Sequence, residues 1–167
     1  MPIKLKWPND IYGFDASTSS YSKIVGILIN SSYSGTDFQL VVGCGINTDN
    51  AAPTTSLNAI LKQQGLKAEP YTQEKLLAKI LVVFEEMYYR FCANGFSVFL
   101  SEYYANWLHT GQLVTVETAG GIKARVLGIT SDFGLLEVEE IGTGKRFTLQ
   151  SDGNSFDFFR GLLKRKT

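Results

Sequence analysis

Asn9, Asp10, Lys23 and Asn47, with the glycines Gly26, Gly43 and Gly45, are the residues of this chain whose types and spacing suggest chemistry. A carboxylate, two carboxamides, an ammonium and backbone left bare by glycine suit a nucleotide together with a small acid. The cation would serve phosphate, the carboxylate magnesium and an amide the edge of a purine. Taken singly, each has a plainer explanation. Asn9-Asp10 behind Pro8 is ordinary turn chemistry, and a lysine where an apolar run begins is usually a solvated edge charge. Gly26 is harder to dismiss, because glycine inside an apolar run weakens a strand and marks close approach by a bulge, a backbone or a ligand. Gly43 and Gly45 invite the same inference.

These residues meet only if the elements carrying them fold back on one another. Ile3, Leu5 and Trp7 alternate with Lys4 and Lys6 as in a strand, which Pro8-Asn9-Asp10 then stops. A polar loop, Gly13 to Ser22, leads to the run Lys23 to Ile29, whose near-continuous β-branched character predicts a strand buried on both faces. After a turn at Ser31 to Asp37 a third strand spans Phe38 to Cys44. Such short connections favour an antiparallel three-strand meander. In it the end of strand one (Asn9, Asp10), the start of strand two (Lys23) and the end of strand three (Gly45, Asn47) share one rim of the sheet.

Beyond the meander the pattern turns helical. A short helix is expected over Leu57 to Gln64, closed by Gly65. A long one is expected over Tyr71 to Asn94, capped by Thr72, with Glu74 at its positive end and Leu77, Leu81, Phe84, Tyr88 and Phe91 at helical spacing. Ser97 is the expected cap of a further helix reaching Trp107, with Leu100, Tyr103, Tyr104 and Trp107 facing the core. From Gly111 short strands alternate with glycine turns: Gln112 to Thr118, Ile122 to Ile129, Gly134 to Glu140 and Lys145 to Leu149, the pattern of a small antiparallel barrel. The expected organisation is thus a mixed α/β domain, residues 1–108, followed by a small all-β barrel, residues 109–167.

Composition removes several function classes. A chain of 167 residues, 44% of them hydrophobic, can pack one ordinary domain or two small ones. Sixteen acidic residues balance sixteen basic ones, so no global field favours nucleic acid or an anionic membrane. No apolar run approaches the ~20 residues of a membrane span, and no secretory signal opens the sequence, so a soluble, cytoplasmic or otherwise intracellular protein is expected, an organelle not excluded. Cys44 and Cys92 lack any metal-binding or disulfide spacing and read as buried free thiols. Gly43-Cys44-Gly45 lacks the third glycine of a dinucleotide fingerprint, and Gly142-Thr143-Gly144-Lys145-Arg146 is a hairpin turn rather than a P-loop. The single histidine, His109, has no nucleophile placed beside it by a recognisable motif and reads as a surface or boundary residue, which disfavours a nucleophilic hydrolase. Arg160 and Lys164-Arg165-Lys166 read as a solvated tail.

Lys6-Trp7-Pro8-Asn9-Asp10, Lys23-Ile24-Val25-Gly26-Ile27-Leu28 and Gly43-Cys44-Gly45-Ile46-Asn47 resemble, in order and spacing, the successive KWPND, K-x-x-G-x-L and G-x-G-[IF]-N motifs of biotin protein ligases. Pro53 to Asn58, Tyr103-Tyr104 with Trp107-Leu108-His109, and Asp152 to Asp157 resemble the eukaryotic members, the holocarboxylase synthetases. The likeness covers nearly the whole chain. It implies, as the fold class, a partial catalytic domain whose mixed sheet is related to the class II aminoacyl-tRNA synthetase core, followed by an SH3-like barrel. It also implies activation of biotin by ATP and Mg2+ to biotinyl-AMP and transfer to a lysine of a carboxylase acceptor domain, with no bound prosthetic group.

By the same resemblance Lys23 is the catalytic cation, aimed at the oxygens between carboxyl and phosphate. Asn9, Asp10, Asn47 and Gly45 would bind ATP and the adenylate, with Asp10 holding magnesium and Asn47 the adenine. Lys23, Gly26, Leu28 and Gly43 would line the biotin pocket. The family often has glycine where Val25 stands, a position whose side chain should face away from biotin. A glycine- and arginine-rich loop that the family carries before the first motif has no counterpart here, so the N-terminal half of the catalytic domain is expected to be missing and the chain to be inactive alone. Two other readings stay open: a non-catalytic module that binds the acceptor domain or a partner chain, and an oligomerising fragment.

Overall fold

The computed structural model describes residues 2–50, 55–65, 67–117, 120–151, 154–157 and 160–165. Two compact units emerge. The first comprises Met1–Leu5 and Asn9–Gly95, the second Lys6–Pro8 and Phe96–Thr167.

The first unit is built on a four-stranded sheet in which β1 (Ile3–Lys6), β2 (Asp10–Asp15), β3 (Ser20–Ser34) and β4 (Asp37–Ile46) lie in chain order. The expected three-strand meander is corrected here: Asp10 to Asp15 does not end a strand but forms one. Tyr12, Gly13 and Phe14 pair with Lys23, Ser22 and Tyr21, so the polar loop shrinks to four residues and β3 starts three residues before Lys23. Polar side chains hid this strand, since the segment pairs through its backbone rather than through an apolar pattern. β3 and β4 then pair without interruption from Val25↔Ile46 to Ser34↔Asp37.

Helix α1 (Leu57–Gln63) covers one face. Ser56 caps it by accepting from the Ala59 amide, and Gly65, at φ +62°, ends it. Leu57 and Ile60 close on Ile24 and Val25, with Ile3, Ile11, Ile27, Ile46 and Leu76 at the margin. Gly13 permits this approach, because a Cβ there would lie 2.2 Å from Cδ1 of Ile60. Helix α2 (Gln73–Asn94) starts at Thr72 as expected, its hydroxyl accepting from the Lys75 amide, and ends at Gly95. None of its residues is buried. The far half of the β3–β4 hairpin is likewise open, with Ile29, Tyr33, Phe38, Leu40 and Val42 exposed. The strand expected to be buried on both faces is therefore buried on one face, and over part of its length. Cys44 on β4 and Cys92 on α2 are free thiols but exposed, not buried, because each sits on one of these open elements.

In the second unit a 3-10 turn, Phe96–Phe99, runs into α3 (Leu100–Asn106), so Ser97 lies inside the turn and does not cap the helix. Tyr103, Tyr104, Trp107 and His109 stack edge to face in sequence. The Tyr104 hydroxyl accepts from the Ile129 amide, and Gly128 makes room for it. The strands β5 (Leu113–Val116), β6 (Ile122–Ile129), β7 (Leu136–Glu140) and β8 (Arg146–Leu149) follow the expected hairpins, their apolar side sealed by Val114, Val116, Ala124, Val126, Leu136 and Val138. Two further strands follow, β9 (Asn154–Asp157) and β10 (Leu162–Arg165), and β10 takes in Lys164 and Arg165, which were expected in a solvated tail. β10 runs parallel to β5, and the order β8-β7-β6-β5-β10-β9 is open, with no pairing of β8 to β9 among the described residues. The small antiparallel barrel expected from the sequence is thus met by a sheet with one parallel pair, and no closed barrel is seen among the described residues. Pro53 and Thr54 of the Pro53 to Asn58 motif, Asp152 and Gly153 of the Asp152 to Asp157 motif, and Lys166 lie outside the described residues.

Candidate functional site

One irregularity of β3 builds the site. Ile11 pairs with Val25 but Tyr12 pairs with Lys23, so Ile24 is an extra residue in β3. A bulge of this kind breaks the strict alternation of faces. Ile24 and Val25, neighbours in sequence, both point into the α1 core, while Lys23 comes to the opposite face beside Gly26. Its ammonium lies 2.6 Å from Oδ1 of Asp10. Asp10 is itself the cross-strand partner of Gly26.

Cross-strand partners share a face of a sheet. Gly26 opposes Gly45, and Leu28 opposes Gly43. Asp10, Gly26 and Gly45 therefore form one row across three strands, with Leu28 and Gly43 as the next row out. The result is a strip of bare backbone, walled by Leu28 at one end and by the Lys23–Asp10 pair at the other. A Cβ at Gly26 would sit 3.0 Å from Nζ of Lys23, one at Gly45 would meet nothing within 4 Å, and one at Gly43 only the Leu28 carbonyl at 3.6 Å. A flat ligand can lie against such a strip, where side chains would hold it off.

The two carboxamides do structural work. Asn9 donates its side-chain N–H to the Ile27 carbonyl while its own carbonyl accepts from the Ile27 amide, which extends the β2–β3 ladder by one residue. The Asn47 amide donates to the Ile24 carbonyl, its side chain donates to the Thr55 carbonyl at 3.3 Å, and its carbonyl accepts from the Leu57 amide. Asn47 thus ties the end of β4 to the bulge and to the start of α1. The structure brings all eight candidate residues to one region, with Lys23 and Asp10 in direct contact. It does so on the face of the sheet rather than along the rim expected from the sequence, because Lys23 is an interior residue of β3. The site is open on one side: the Lys23 side chain is 51% exposed and that of Asp10 14%. Among the described residues no cluster of three or more His, Cys, Asp or Glu could cage a metal, and no helix is long and apolar enough to cross a membrane.

His109 is the residue that sequence reasoning misjudged. It is fully buried within the second unit. Its Nε2 accepts from the Trp7 amide at 3.0 Å and its Nδ1 lies 3.0 Å from Oε1 of Gln112. Burial holds its pKa down at about 4, with the Lys6 charge adding to the effect and the Gln112 bond opposing it. Lys6, which alternates with Leu5 and Trp7 in the sequence, is also buried. A contact 102 residues apart leaves no local trace, and the signal the sequence did carry was the place of His109 in the Trp107-Leu108-His109 motif.

Residues 1–47 match the biotin/lipoate A/B protein ligase family, the stretch that carries Asn9, Asp10, Lys23, Gly26, Leu28, Gly43, Gly45 and Asn47. Across its length the chain is similar to eukaryotic biotin–protein ligases. It is 42% identical to the biotin–protein ligase of Schizosaccharomyces pombe over 100% of this chain and 29% of that protein. To the biotin–protein ligase of Homo sapiens it is 36% identical over 98% of this chain and 22% of that protein. The chain thus spans less than a third of either relative. The apo structure of a biotin protein ligase from Aquifex aeolicus shares the fold at a TM-score of 0.62, with 24% identity, over 88% of this chain and 65% of that one. A structure of the Aquifex protein in complex with biotin and ATP superposes at 0.59 over 90% of this chain and 63% of that one.

Proposed function

We propose that this chain supplies one wall of a biotin protein ligase active site, in which biotin is activated by ATP and passed to a lysine of a carboxylase acceptor domain. The observation that carries the reading is the Lys23–Asp10 pair set over Gly26 by the Ile24 bulge. The fused rings of biotin rest on the strip of Gly26, Gly43 and Gly45 beside Leu28, so that the carboxylate extends toward Lys23. In the first step a biotin carboxylate oxygen attacks the α-phosphorus of ATP, the bond to the β-phosphate breaks and pyrophosphate leaves. In the second the acceptor amine attacks the acyl carbon, its C–O bond to phosphate breaks, AMP departs with the electron pair and the nitrogen gives up a proton. Both steps gather negative charge on oxygens between carbon and phosphorus, and a fixed ammonium stabilises that charge most where water is excluded.

Magnesium is carried on the triphosphate. One or two protein carboxylates suffice for a nucleotide-borne Mg2+, which fits Asp10 as the carboxylate beside Lys23. Asn47 and Asn9, whose N–H groups serve the backbone, offer their side-chain oxygens to the nucleotide, Asn47 to adenine and Asn9 to the phosphate side. The domains of this reading are residues 1–108, a partial catalytic domain of the class II synthetase type, and residues 109–167, an SH3-like domain formed from the strands after Gly111. The protein works inside the cell, where biotin, ATP and carboxylases meet. The half-exposed Lys23 argues that this chain alone turns over slowly, since solvent screens a charge that a second wall would dry.

Calorimetry with biotinyl-adenylate tests the wall itself. Weak binding that falls at least ~10-fold in Lys23→Ala supports it, the scale of one charge-assisted contact. Equal affinity in the variant removes Lys23 from the site. An ATP-dependent biotinylation assay on an acceptor domain then tests turnover, and rapid labelling by the chain alone would overturn the argument from exposure. The open apolar faces of α2 and the β3–β4 hairpin favour a second reading, association with a partner chain, an acceptor domain or a second copy, which a pull-down without nucleotide distinguishes.

A further inference from the structure

We propose that His109 is a positioning residue for the Asn9–Asp10 end of this site, a role that rests on the ligase reading above. Three observations carry it. The imidazole is completely buried, and its Nε2 receives the backbone N–H of Trp7. That amide lies two residues before Asn9 in the chain. The Trp7 indole is held as well, donating Nε1–H to the Gly134 carbonyl at 3.0 Å, so Trp7 is anchored at both its backbone and its ring. Trp7 is thus held at two points, and only Pro8 stands between it and Asn9 in the chain that leads to the site carboxylate.

The chemistry of the anchor explains why a histidine stands there. To accept from Trp7 at Nε2, the ring must be neutral and protonated at Nδ1, and the Gln112 side-chain oxygen beside Nδ1 selects that tautomer. The Trp107 ring, packed edge to face on His109 at 5.2 Å between centroids, fills the remaining side. An apolar side chain would leave the Trp7 amide buried and unpaired, a state that a flexible loop escapes by moving. Movement at Trp7 passes along two peptide bonds to Asn9. The Asn9 hydrogen bonds to Ile27 and the approach of Asp10 to Lys23 would then be lost together.

The test compares His109→Phe, which keeps a ring and loses the acceptor, with His109→Gln, whose oxygen can stand where Nε2 stood. In the full chain the phenylalanine variant should speed amide exchange at Trp7, shift the amide resonances of Asn9 and Asp10, and weaken biotinyl-adenylate binding by ~10-fold, the weight of one buried hydrogen bond. The glutamine variant should restore all three. Faster exchange at Trp7 with Asn9 and Asp10 unmoved and affinity unchanged would reduce His109 to a structural residue and overturn the proposal. If wild type binds no adenylate, the ligase reading fails, while the coupled resonances of Asn9 and Asp10 still decide whether His109 positions them. Should the phenylalanine variant not fold, His109→Asn serves in its place, keeping a partner for Gln112 without reaching Trp7.

Discussion

Lys23 and Asp10 show how far single residues could be read from sequence. Their types announced phosphate and metal chemistry, and the structure brings them within 2.6 Å. What could not be read was the backbone route, since one extra residue, Ile24, decides which face Lys23 occupies and composition carries no mark of it. His109 was still less legible, because its meaning lies in a contact with Trp7, far away in the chain. It also carries a pH signature. Its folded pKa of about 4 lies below the ordinary 6.5, so the unfolded chain binds the extra proton between those values. Stability contributed by the neutral ring is thus full above about 6.5 and is lost as pH falls toward 4, to a limit of about 3 kcal/mol. Urea unfolding at pH 7 and pH 5 should show wild type losing more stability than His109→Gln. Equal losses would mean that the imidazole is not held neutral by the fold.

Among the elements, the helices were the more legible. Thr72 and Gly95 bound α2 and Gly65 closes α1, because caps are local chemistry. The sheet was legible only where apolar side chains outlined it, so β2, with its polar and aromatic mix, passed for a loop. Part of β10 passed for a tail because Lys164 and Arg165 close it. The glycine strip across β3 and β4 gives the element a sharp test. In Gly26→Val the new side chain competes for the space of the Lys23 ammonium, 3.0 Å from the Cβ position, and pushes it off Asp10. Valine suits a strand, and the atoms it meets are the far end of the flexible, half-exposed Lys23, which can swing into solvent, so unfolding free energy should change by less than ~1 kcal/mol. Biotinyl-adenylate affinity should nevertheless fall by ~10-fold or more, as the ring platform and the cation are disturbed at once. A variant that binds normally would show that no ligand uses the strip.

At the scale of the whole molecule the sequence says which surfaces want burial but not what buries them. Leu77, Leu81, Phe84, Tyr88 and Phe91 have the spacing of a core-facing stripe, yet α2 also carries Ile80, Val82, Val83, Met87 and Tyr89, and all ten are exposed. Glu74, Lys75, Lys79, Glu85, Glu86 and Arg90 give α2 a charged side, and an apolar helix face set opposite such a side normally lies against a core. The same holds for Ile29, Tyr33, Phe38, Leu40 and Val42, which extend the α1 core face beyond the helix that covers it. Exposed apolar area on this scale exceeds what a monomer ordinarily tolerates. The folded chain should therefore bind the dye ANS strongly without denaturant. Val82→Lys, Phe84→Glu, Phe38→Lys and Leu40→Glu together should cut that emission several-fold. Because these side chains bury little, each change should alter unfolding free energy by no more than ~0.5 kcal/mol. Weak dye binding in wild type, or losses of several kcal/mol in the variant, would mean that these faces pack against something in the folded chain and that α2 belongs to its core.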